Sequence, residues 1–414
     1  LFCQYMKSQI TSAVKIQNRG FLIMEMMIAF SVMTLFLSSA VMLSATMQSL
    51  RMQAVKELEN LERFTFAPVL SDYANAWGRD SCSASFFFNP KKTFLHSSGL
   101  NISSNPSTDL EVRNGIAYFT ADSPVGSSPD FYIADMRNPE SPFIISSINT
   151  GPGLSALEVA GRFIYAANSG TTNQLQIIDI ADRHDPVLLS TLKLPLPHAS
   201  STAPAATAIF YSRGLVYLGT KKWEGNEFSI IDVSNPASPK YLGGFETGTL
   251  INDIYARDGY AYLAASDIAQ MRILDVRDPS NITQLDSFSP SGWETQEGKV
   301  LSYFEGSLSL GRTPGGFNNS NNHEVFIFSS SSPHVMEYSR DIPGGVYGIV
   351  IKPPHAYLAT RSTGREFQIW DNSLENLVFE KSLGFSPRAL SCDRNNLYFA
   401  TGDGKGVSTL IIEK

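Results

Sequence analysis

Cysteine and positive charge are scarce in this sequence, and each scarcity excludes a class of function. The three cysteines, Cys3, Cys82 and Cys392, lie far apart, so they cannot form a cysteine-based zinc module. Acidic residues outnumber basic residues by 39 to 32, which gives a net charge of −7 and no electrostatic footprint for nucleic acid. We therefore expect no nucleic-acid partner.

Motifs that mark catalytic sites are also missing. The sequence has no HExxH, GxSxG, P-loop or EF-hand signature, and no GxGxxG motif follows a predicted strand. The six histidines lack metal-ligand spacing, and we interpret each as a solvated or turn residue: His96, His184, His198, His323, His334 and His355. We predict no catalytic residue, no metal and no cofactor, and hence no enzyme. A site assembled from distant parts of the chain would carry no motif, so an enzyme stays open as an alternative.

Charge is absent from one long segment near the amino terminus. Residues 26–50 carry no charged side chain, and as a helix rising about 1.5 Å per residue they would cross a hydrocarbon core of roughly 30 Å. A secretory signal peptide has a shorter apolar run, of about 7 to 15 residues. Apolar residues continue at helical spacing almost to Pro68. We predict one long α-helix over 21–66.

Glu25 is an acid within this apolar stretch, and it needs a counter-charge because a carboxylate in a bilayer helix costs about 2.5 to 3.5 kcal/mol. The sequence NRGFLIME, in which Glu25 is the fifth residue after Gly20, resembles the amino-terminal signal of type IV pilins and pseudopilins. The resemblance implies that a prepilin peptidase cuts between Gly20 and Phe21 and methylates the new terminus. It also implies that Glu25 neutralises the terminal amine of a neighbouring subunit. A plain signal anchor is the alternative.

These features divide the chain into a leader over 1–20, a membrane and assembly helix over 21–66, a linker over 67–91 and a body over 92–414. We expect translation to begin at Met6, which opens a short basic leader. The resemblance implies a precursor that spans the inner membrane once and then enters a periplasmic or extracellular filament at the cell surface. Its partners would be the prepilin peptidase, other pilin subunits and, before assembly, membrane lipid.

The body repeats a pair of strand-like runs. The first run has the form G-x-x-Y-x-A, with tyrosines Tyr118, Tyr165, Tyr217, Tyr262, Tyr357 and Tyr398. The second run ends in an aspartate: Asp135, Asp179, Asp232, Asp275 and Asp371. One degenerate unit fills the gap between the fourth and fifth tyrosines. Seven units with a period of about 40 to 50 residues and about four strand-like runs each predict an all-β, seven-bladed propeller after the long helix.

The last unit is one strand short. Residues 92–102 precede the first unit, and we predict that they supply the missing outer strand and so close the ring. The second run, read as L-x-I-I-D-x-S-x-P-x-x-P, resembles the LVIVD repeat of bacterial and archaeal surface proteins, over residues 110–414. We interpret its aspartates as turn residues rather than metal ligands, because Asp accepts hydrogen bonds from turn backbone.

Two cysteines remain after Cys3 is set aside with the sequence before Met6. Cys82 lies in the predicted linker and Cys392 in the first strand of the last unit, and an exported protein meets oxidising conditions. A disulfide between them would tie the linker to the last blade. Two unpaired cysteines are the alternative.

One face of a propeller collects the loops between second and third strands and the links between blades, and it is commonly the binding face. The sequence places aromatic, acidic and histidine residues there: Trp223, Glu224, Trp293, Glu294, Phe317 and His198. Exposed aromatic residues beside carboxylates suit contact with a surface protein or a glycan. Ordinary loop packing is the alternative for these side chains.

Taken together, the sequence predicts a minor or tip subunit of a type IV pilus or a type II secretion pseudopilus. Its helix would assemble with other subunits, and its propeller would be displayed for recognition. Two alternatives from other classes remain. One is an exported, membrane-anchored propeller enzyme such as a hydrolase or lyase, and the other is an anchored scaffold that never enters a filament.

Overall fold

Seven β-sheets make up the part of the chain that the computed structural model describes. The described residues are 81–82, 93–96, 100, 102, 105–123, 128–138, 140–199, 201–290, 296–304, 306–314, 323–329, 335–352, 354–394, 396–402 and 406–412. The leader and the helix predicted over 21–66 lie outside them. Within these residues, no helix has the length and apolar character needed to cross a membrane.

The sheets are the blades of a propeller, and consecutive strands form the first six. The first two strands of the chain are β1 (Ser81–Cys82) and β2 (Thr93–His96). Blade 1 contains β3 (Ser107–Arg113), β4 (Ile116–Ala121), β5 (Phe131–Asp135) and β6 (Phe143–Ile148). Blade 2 contains β7 (Leu154–Ala160), β8 (Phe163–Asn168), β9 (Leu175–Asp179) and β10 (Val187–Leu192). Blade 3 contains β11 (Ala206–Ser212), β12 (Leu215–Thr220), β13 (Phe228–Asp232) and β14 (Lys240–Phe245).

The remaining blades follow the same order. Blade 4 contains β15 (Ile251–Arg257), β16 (Tyr260–Ala265), β17 (Met271–Asp275) and β18 (Thr283–Phe288). Blade 5 contains β19 (Gly298–Phe304), β20 (Ser307–Arg312), β21 (Val325–Ser329) and β22 (Met336–Arg340). Blade 6 contains β23 (Val346–Lys352), β24 (His355–Thr360), β25 (Phe367–Asp371) and β26 (Leu377–Lys381). Blade 7 contains β27 (Pro387–Arg394), β28 (Asn396–Thr401) and β29 (Val407–Ile412), together with β1 and β2.

The first strands of successive blades contact one another around the axis, and β27 contacts β3, so the ring is closed. Blade 7 draws strands from both ends of the body: β2 pairs antiparallel with β29, with Thr93 opposite Ile412. This confirms the prediction that residues before the first unit supply the missing outer strand. Between blades 7 and 1, the Asp393 carboxylate accepts a hydrogen bond from the Gly115 amide at 2.6 Å.

The hydrophobic core lies between neighbouring blades rather than in one central volume. The repeat tyrosines are buried on the second strands, and Tyr165 of blade 2 stacks on Tyr211 of blade 3 with ring centroids 4.9 Å apart. Such aromatic pairs contribute about 0.5–1.5 kcal/mol beyond the area they bury. The apolar faces of the blades are therefore buried against neighbouring blades.

The repeat aspartates hold the turns that leave the third strands. The Oδ1 atoms of Asp135, Asp179 and Asp232 each accept a hydrogen bond from the backbone N–H two residues later, at 2.9 Å. Each side chain thereby satisfies a turn amide that has no partner in the sheet. The interpretation of these aspartates as turn residues is confirmed.

A second set of buried polar residues fixes the links between blades. One stands immediately before each third strand of blades 1 to 6: Asp130, Gln174, Glu227, Gln270, Glu324 and Glu366. Five of them accept a hydrogen bond from a backbone N–H of the link that leaves the blade, as Glu324 does from Ile342 at 2.8 Å. A buried amide needs such a partner. Gln270 instead donates to the Gln296 carbonyl.

Two of these acids, Glu324 and Glu366, occupy equivalent positions in neighbouring blades, but their pKa values are shifted in opposite directions. Burial raises the pKa of Glu324 to about 7. Burial also opposes ionisation of Glu366, but hydrogen bonds from the Gly364 and Leu383 amides and the Ser382 hydroxyl outweigh it and lower its pKa. Between pH 4.5 and about 7, Glu324 is therefore protonated in the folded chain but ionised in the unfolded chain. Because the folded state binds the extra proton, the free energy of unfolding decreases as pH rises through this range.

We expect Glu324→Gln to raise the melting temperature at pH 8 by about 3 °C and to leave it nearly unchanged at pH 4.5. The substitution removes a charge that is costly to bury but keeps an oxygen for the Ile342 amide. Thermal unfolding followed at both pH values measures the effect. Glu366→Gln is the matched control, and it should lower the melting temperature at pH 8 because it removes a stabilised carboxylate. Equal effects of the two variants would contradict this account.

Cys392 lies on β27, is buried and is disulfide-bonded. Strand β1, which carries Cys82, pairs parallel with β27, and Cys82 is opposite Arg394 in the register. A stretch predicted as linker thus joins the axial edge of blade 7. The side chain of Cys82 lies outside the described residues, so its pairing with Cys392 stays a prediction.

Alkylation of the denatured native protein tests this disulfide. We expect neither Cys82 nor Cys392 to react before reduction and both to react after it, because a disulfide sulfur is not a nucleophile. Mass spectrometry of the digested chain reads out the added groups. In the control variant Cys82→Ser, Cys392 should react without reduction. Reaction of both cysteines in the unreduced wild type would contradict the pairing.

Candidate functional site

The candidate binding face is the one where second strands pass to third strands and one blade passes to the next. Its described loops between second and third strands include residues 169–174, 221–227, 266–270 and 361–366. Its described links between blades include residues 149–153, 193–199, 201–205 and 246–250. Because both kinds of connection reach the same ends of the strands, side chains distant in sequence meet there.

A groove of about 360 Å³ opens on this face between blades 2 and 3. One wall is the link segment 194–197, Leu-Pro-Leu-Pro, in which each proline fixes its φ and favours an extended backbone. The other wall is the loop 223–226, and Tyr241 and Glu246 complete the lining. Ser201 donates a hydrogen bond to the Glu224 carboxylate at 2.8 Å and so joins the link to the loop.

Trp223 is half-buried, and its own loop holds it in place. The indole N–H donates to the Asn226 carbonyl at 3.1 Å. A Cβ atom added at Gly225 would come within 2.5 Å of the indole ring, so glycine permits this packing. Loop packing therefore uses one edge of the ring, while the rest of the side chain lines the groove.

Glu227 anchors the base of this loop. Its carboxylate is fully buried and accepts hydrogen bonds from the backbone N–H groups of Thr247 at 2.7 Å and Gly248 at 2.9 Å. The other carboxylate oxygen accepts a hydrogen bond from the backbone N–H of Trp223 at 3.4 Å. The loop of blade 3 is thus tied to the link that leads to blade 4, which fixes the wall of the groove.

The structure brings together two of the residues predicted for the binding face, Trp223 and Glu224, which both line the groove. The exposed His198 lies on the adjoining link, where its backbone carbonyl accepts a hydrogen bond from the Ser201 N–H, but it is not part of the groove lining. The other predicted face residues, Trp293, Glu294 and Phe317, lie outside the described residues. Gly20, Phe21 and Glu25 lie outside them as well. All six stay predictions.

Sequence reasoning missed two members of the groove. Asn226 donates from its side-chain amide to the Tyr241 hydroxyl at 3.2 Å, and both residues line the groove. No spacing in the sequence connects them, because Tyr241 lies on the outermost strand of blade 3. The alternation of leucine and proline in segment 194–197 is a usable signal, since it predicts a stiff, extended backbone.

The groove combines an apolar wall with acidic groups at its rim. Trp223, Tyr241 and the two prolines offer flat or ring surfaces, and the Glu224 and Glu246 carboxylates offer hydrogen-bond acceptors. This combination suits a sugar ring or a short peptide, which presents hydroxyl or amide donors beside apolar surface.

The remaining histidines do not gather near this groove. His184 is exposed, and His323 and His355 are half-buried in blades 5 and 6. The side chains of His96 and His334 lie outside the described residues. Over the described ranges, no group of three or more His, Cys, Asp or Glu side chains is placed to hold a metal ion.

Comparison with known proteins identifies the repeat and the fold. The family model for the LVIVD repeat matches residues 155–193, 223–247 and 251–289, which fall in blades 2, 3 and 4. No curated protein matches the chain.

Several solved structures share the fold at low sequence identity. Kuenenia stuttgartiensis hydrazine synthase aligns over 77% of this chain and 100% of its own, with a TM-score of 0.58 and 11% identity. The periplasmic gluconolactonase of Pseudomonas aeruginosa aligns over 75% and 99%, with a TM-score of 0.56 and 12% identity. The computationally designed Ika8 protein aligns over 77% and 100%, with a TM-score of 0.52 and 12% identity. At these identities the likeness concerns the fold alone. The chain therefore carries LVIVD repeats, which lie in blades 2 to 4 of a seven-bladed β-propeller.

Proposed function

We propose that this protein is a pilin-like subunit whose propeller recognises a surface protein or a glycan outside the cytoplasmic membrane. The observation that carries the proposal is the sequence around Gly20: a glycine followed by an apolar run with one acid, Glu25, at the fifth position. In the proposed filament, the methylated amine of one subunit balances the Glu25 carboxylate of the next. That pairing offsets the cost of burying an acid among apolar helices.

The size of the propeller favours a rare or terminal position in the filament. The body predicted over 92–414 follows the helix predicted over 21–66, and neighbouring helices of this kind in a filament would pack side by side. A head of this bulk would clash with copies of itself at close spacing. A minor or tip subunit of a type IV pilus or a type II secretion pseudopilus fits this constraint.

The activity proposed for the propeller is binding of a surface protein or a glycan, with no catalysed reaction. The groove between blades 2 and 3 supports it, because Trp223 is held at the wall and the Glu224 carboxylate lies at the rim. An exported propeller enzyme is the second candidate. A gluconolactonase and hydrazine synthase share the fold, which makes the fold compatible with enzymes but assigns no reaction to this chain.

The filament proposal is tested at the amino terminus. We expect the protein purified from native cells to begin with a methylated Phe21, and we expect Glu25→Ala to be exported normally but absent from sheared filaments, because the amine loses its counter-charge. Mass spectrometry and immunoblots of filament fractions measure both. Glu59→Ala, on the same predicted helix but beyond the apolar run, should assemble normally. A native chain that begins at Met6 would overturn the proposal and leave an anchored propeller.

The recognition proposal is tested with the two tryptophans of the candidate face. We expect full-length protein in detergent to bind members of an array of surface glycans, and the double variant Trp223→Ala and Trp293→Ala to lose at least about tenfold in affinity, because aromatic anchors dominate such contacts. Phe143→Ala is the matched control, since Phe143 is an exposed aromatic residue on an outer strand of blade 1. Unchanged binding in the double variant would remove these residues from the site.

A further inference from the structure

The second residue of each innermost strand lies at a break in the β-ladder. In blades 2 to 7 the register shifts between the first and third residues of that strand, and in blade 1 it shifts between Ser107 and Leu110. The residues at this position are Thr108, Ser155, Thr207, Asn252, Lys299, Tyr347 and Arg388. They form a ring around the axis at the end where links enter the blades. We call this end the axial mouth. Bulges of this kind re-aim side chains and are frequent beside functional sites.

Three of the seven residues at the axial mouth have a structural role. The Thr108 hydroxyl donates to the Leu154 carbonyl at 2.6 Å, and the Thr207 hydroxyl donates to the Ile251 carbonyl at 2.6 Å. Each bond joins a blade to the first residue of the next innermost strand. The Asn252 side chain does the same toward blade 5, at 2.7 Å. Short polar side chains at this position therefore lock neighbouring blades together.

Blades 5 to 7 break this pattern, because their ring residues are Lys299, Tyr347 and Arg388. Arg361, from the loop between β24 and β25, lies over the Tyr347 ring with its guanidinium carbon 3.8 Å from the centroid. Arg361 and Arg388 are both exposed, and neither forms an ion pair with any residue that the structure describes. Three successive blades thus place cationic groups on one side of the axial mouth.

These cations affect one another. Burial lowers the pKa of Lys299, the charges of Arg361 and Arg388 lower it further, and Glu297 and Asp253 oppose the shift. Although Arg388 is exposed as a whole residue, its guanidinium is partly withdrawn from water; this desolvation, followed by the charge of Arg361, lowers its pKa, and Asp122 opposes that shift. Like charges at this range disfavour one another's charged state.

One of the nearby carboxylates, that of Asp253, is already engaged by the hydrogen bonds it accepts. The two carboxylate oxygens of Asp253 accept hydrogen bonds from the backbone N–H groups of Leu301 at 2.7 Å and Ile254 at 2.8 Å. Lys299 itself donates to the side-chain oxygen of Asn252 at 3.0 Å. Neither guanidinium group donates a hydrogen bond to a described residue, so both keep open donors.

An open cavity of about 350 Å³ lies against these two groups. Arg361 and Arg388 line it together with Gly384, Phe385, Ser386 and Gly402. The volume is within the range of small-molecule sites, roughly 300–1,000 Å³. The Tyr347 ring orients the guanidinium of Arg361, so less freedom is lost when a ligand binds.

We propose that Arg361 and Arg388 form a binding site for an anionic oxygen group, either a carboxylate or a phosphate, at the axial mouth. Guanidinium groups bind both anions through paired N–H donors, and the cavity beside them has room for the sugar or polyol that carries the anion. Lys299 strengthens the positive field without contacting the ligand. The site is separate from the groove between blades 2 and 3, and it does not depend on the filament proposal.

Titration of the full-length protein in detergent with defined probes tests this site. The probes are an oligogalacturonate for carboxylates, a glycerol phosphate oligomer for phosphates and maltotriose as a neutral sugar. We expect wild type to bind at least one anionic probe and not maltotriose, with affinity that falls as salt is raised. The double variant Arg361→Gln and Arg388→Gln should bind that probe at least about tenfold more weakly.

Two further variants make the outcome decisive. Lys221→Gln with Lys222→Gln removes the same charge from the same face but in blade 3, and it should bind as wild type does. Arg388→Gln alone removes no hydrogen bond to a described residue, so it should fold like wild type and still weaken binding. Absence of binding to both anionic probes would overturn the proposal. An equal loss in the lysine variant would also overturn it, because the attraction would then belong to the whole face.

Discussion

Closure of the ring is the constraint on which the rest of this structure depends. Each blade has two apolar faces, and each face is covered only by a neighbouring blade, so an open array would leave one face of each terminal blade in water. Pairing of β2 with β29 and the hydrogen bond from the Gly115 amide to Asp393 join the two ends of the body. The first strand of the body is consequently held by the last, so the ring has no terminal blade with an uncovered face.

Buried polar groups determine where the connections run. The acidic and amide side chains that precede the third strands form hydrogen bonds with the links that leave each blade. Thr108 and Thr207 at the axial mouth form hydrogen bonds with the innermost strand of the next blade. Each such bond satisfies a backbone group that would otherwise be buried without a partner. One face of the propeller is therefore built from loops and links with fixed positions. A groove with a defined wall and a cavity with oriented arginines both require that rigidity.

Two surfaces on this face differ in chemistry. The groove between blades 2 and 3 has aromatic walls and acidic rims, whereas the axial mouth at blades 5 to 7 is basic. The proposed filament role concerns the amino-terminal segment and is independent of either surface, since it depends on the residues around Gly20.

The number of blades, the strand that closes the ring and the turn role of the repeat aspartates could be predicted without coordinates, because each follows from a period or from a bond between residues close in the chain. The repeat also placed Trp223, Glu224 and His198 in loops and links on the candidate binding face, since the position of a loop within a blade follows from the repeat. Only the tertiary structure placed Tyr241 in the groove and brought Arg361 and Arg388 to one cavity. Those residues come from different strands or blades, and the spacing of a sequence carries no record of which side chains meet once the sheets close around an axis.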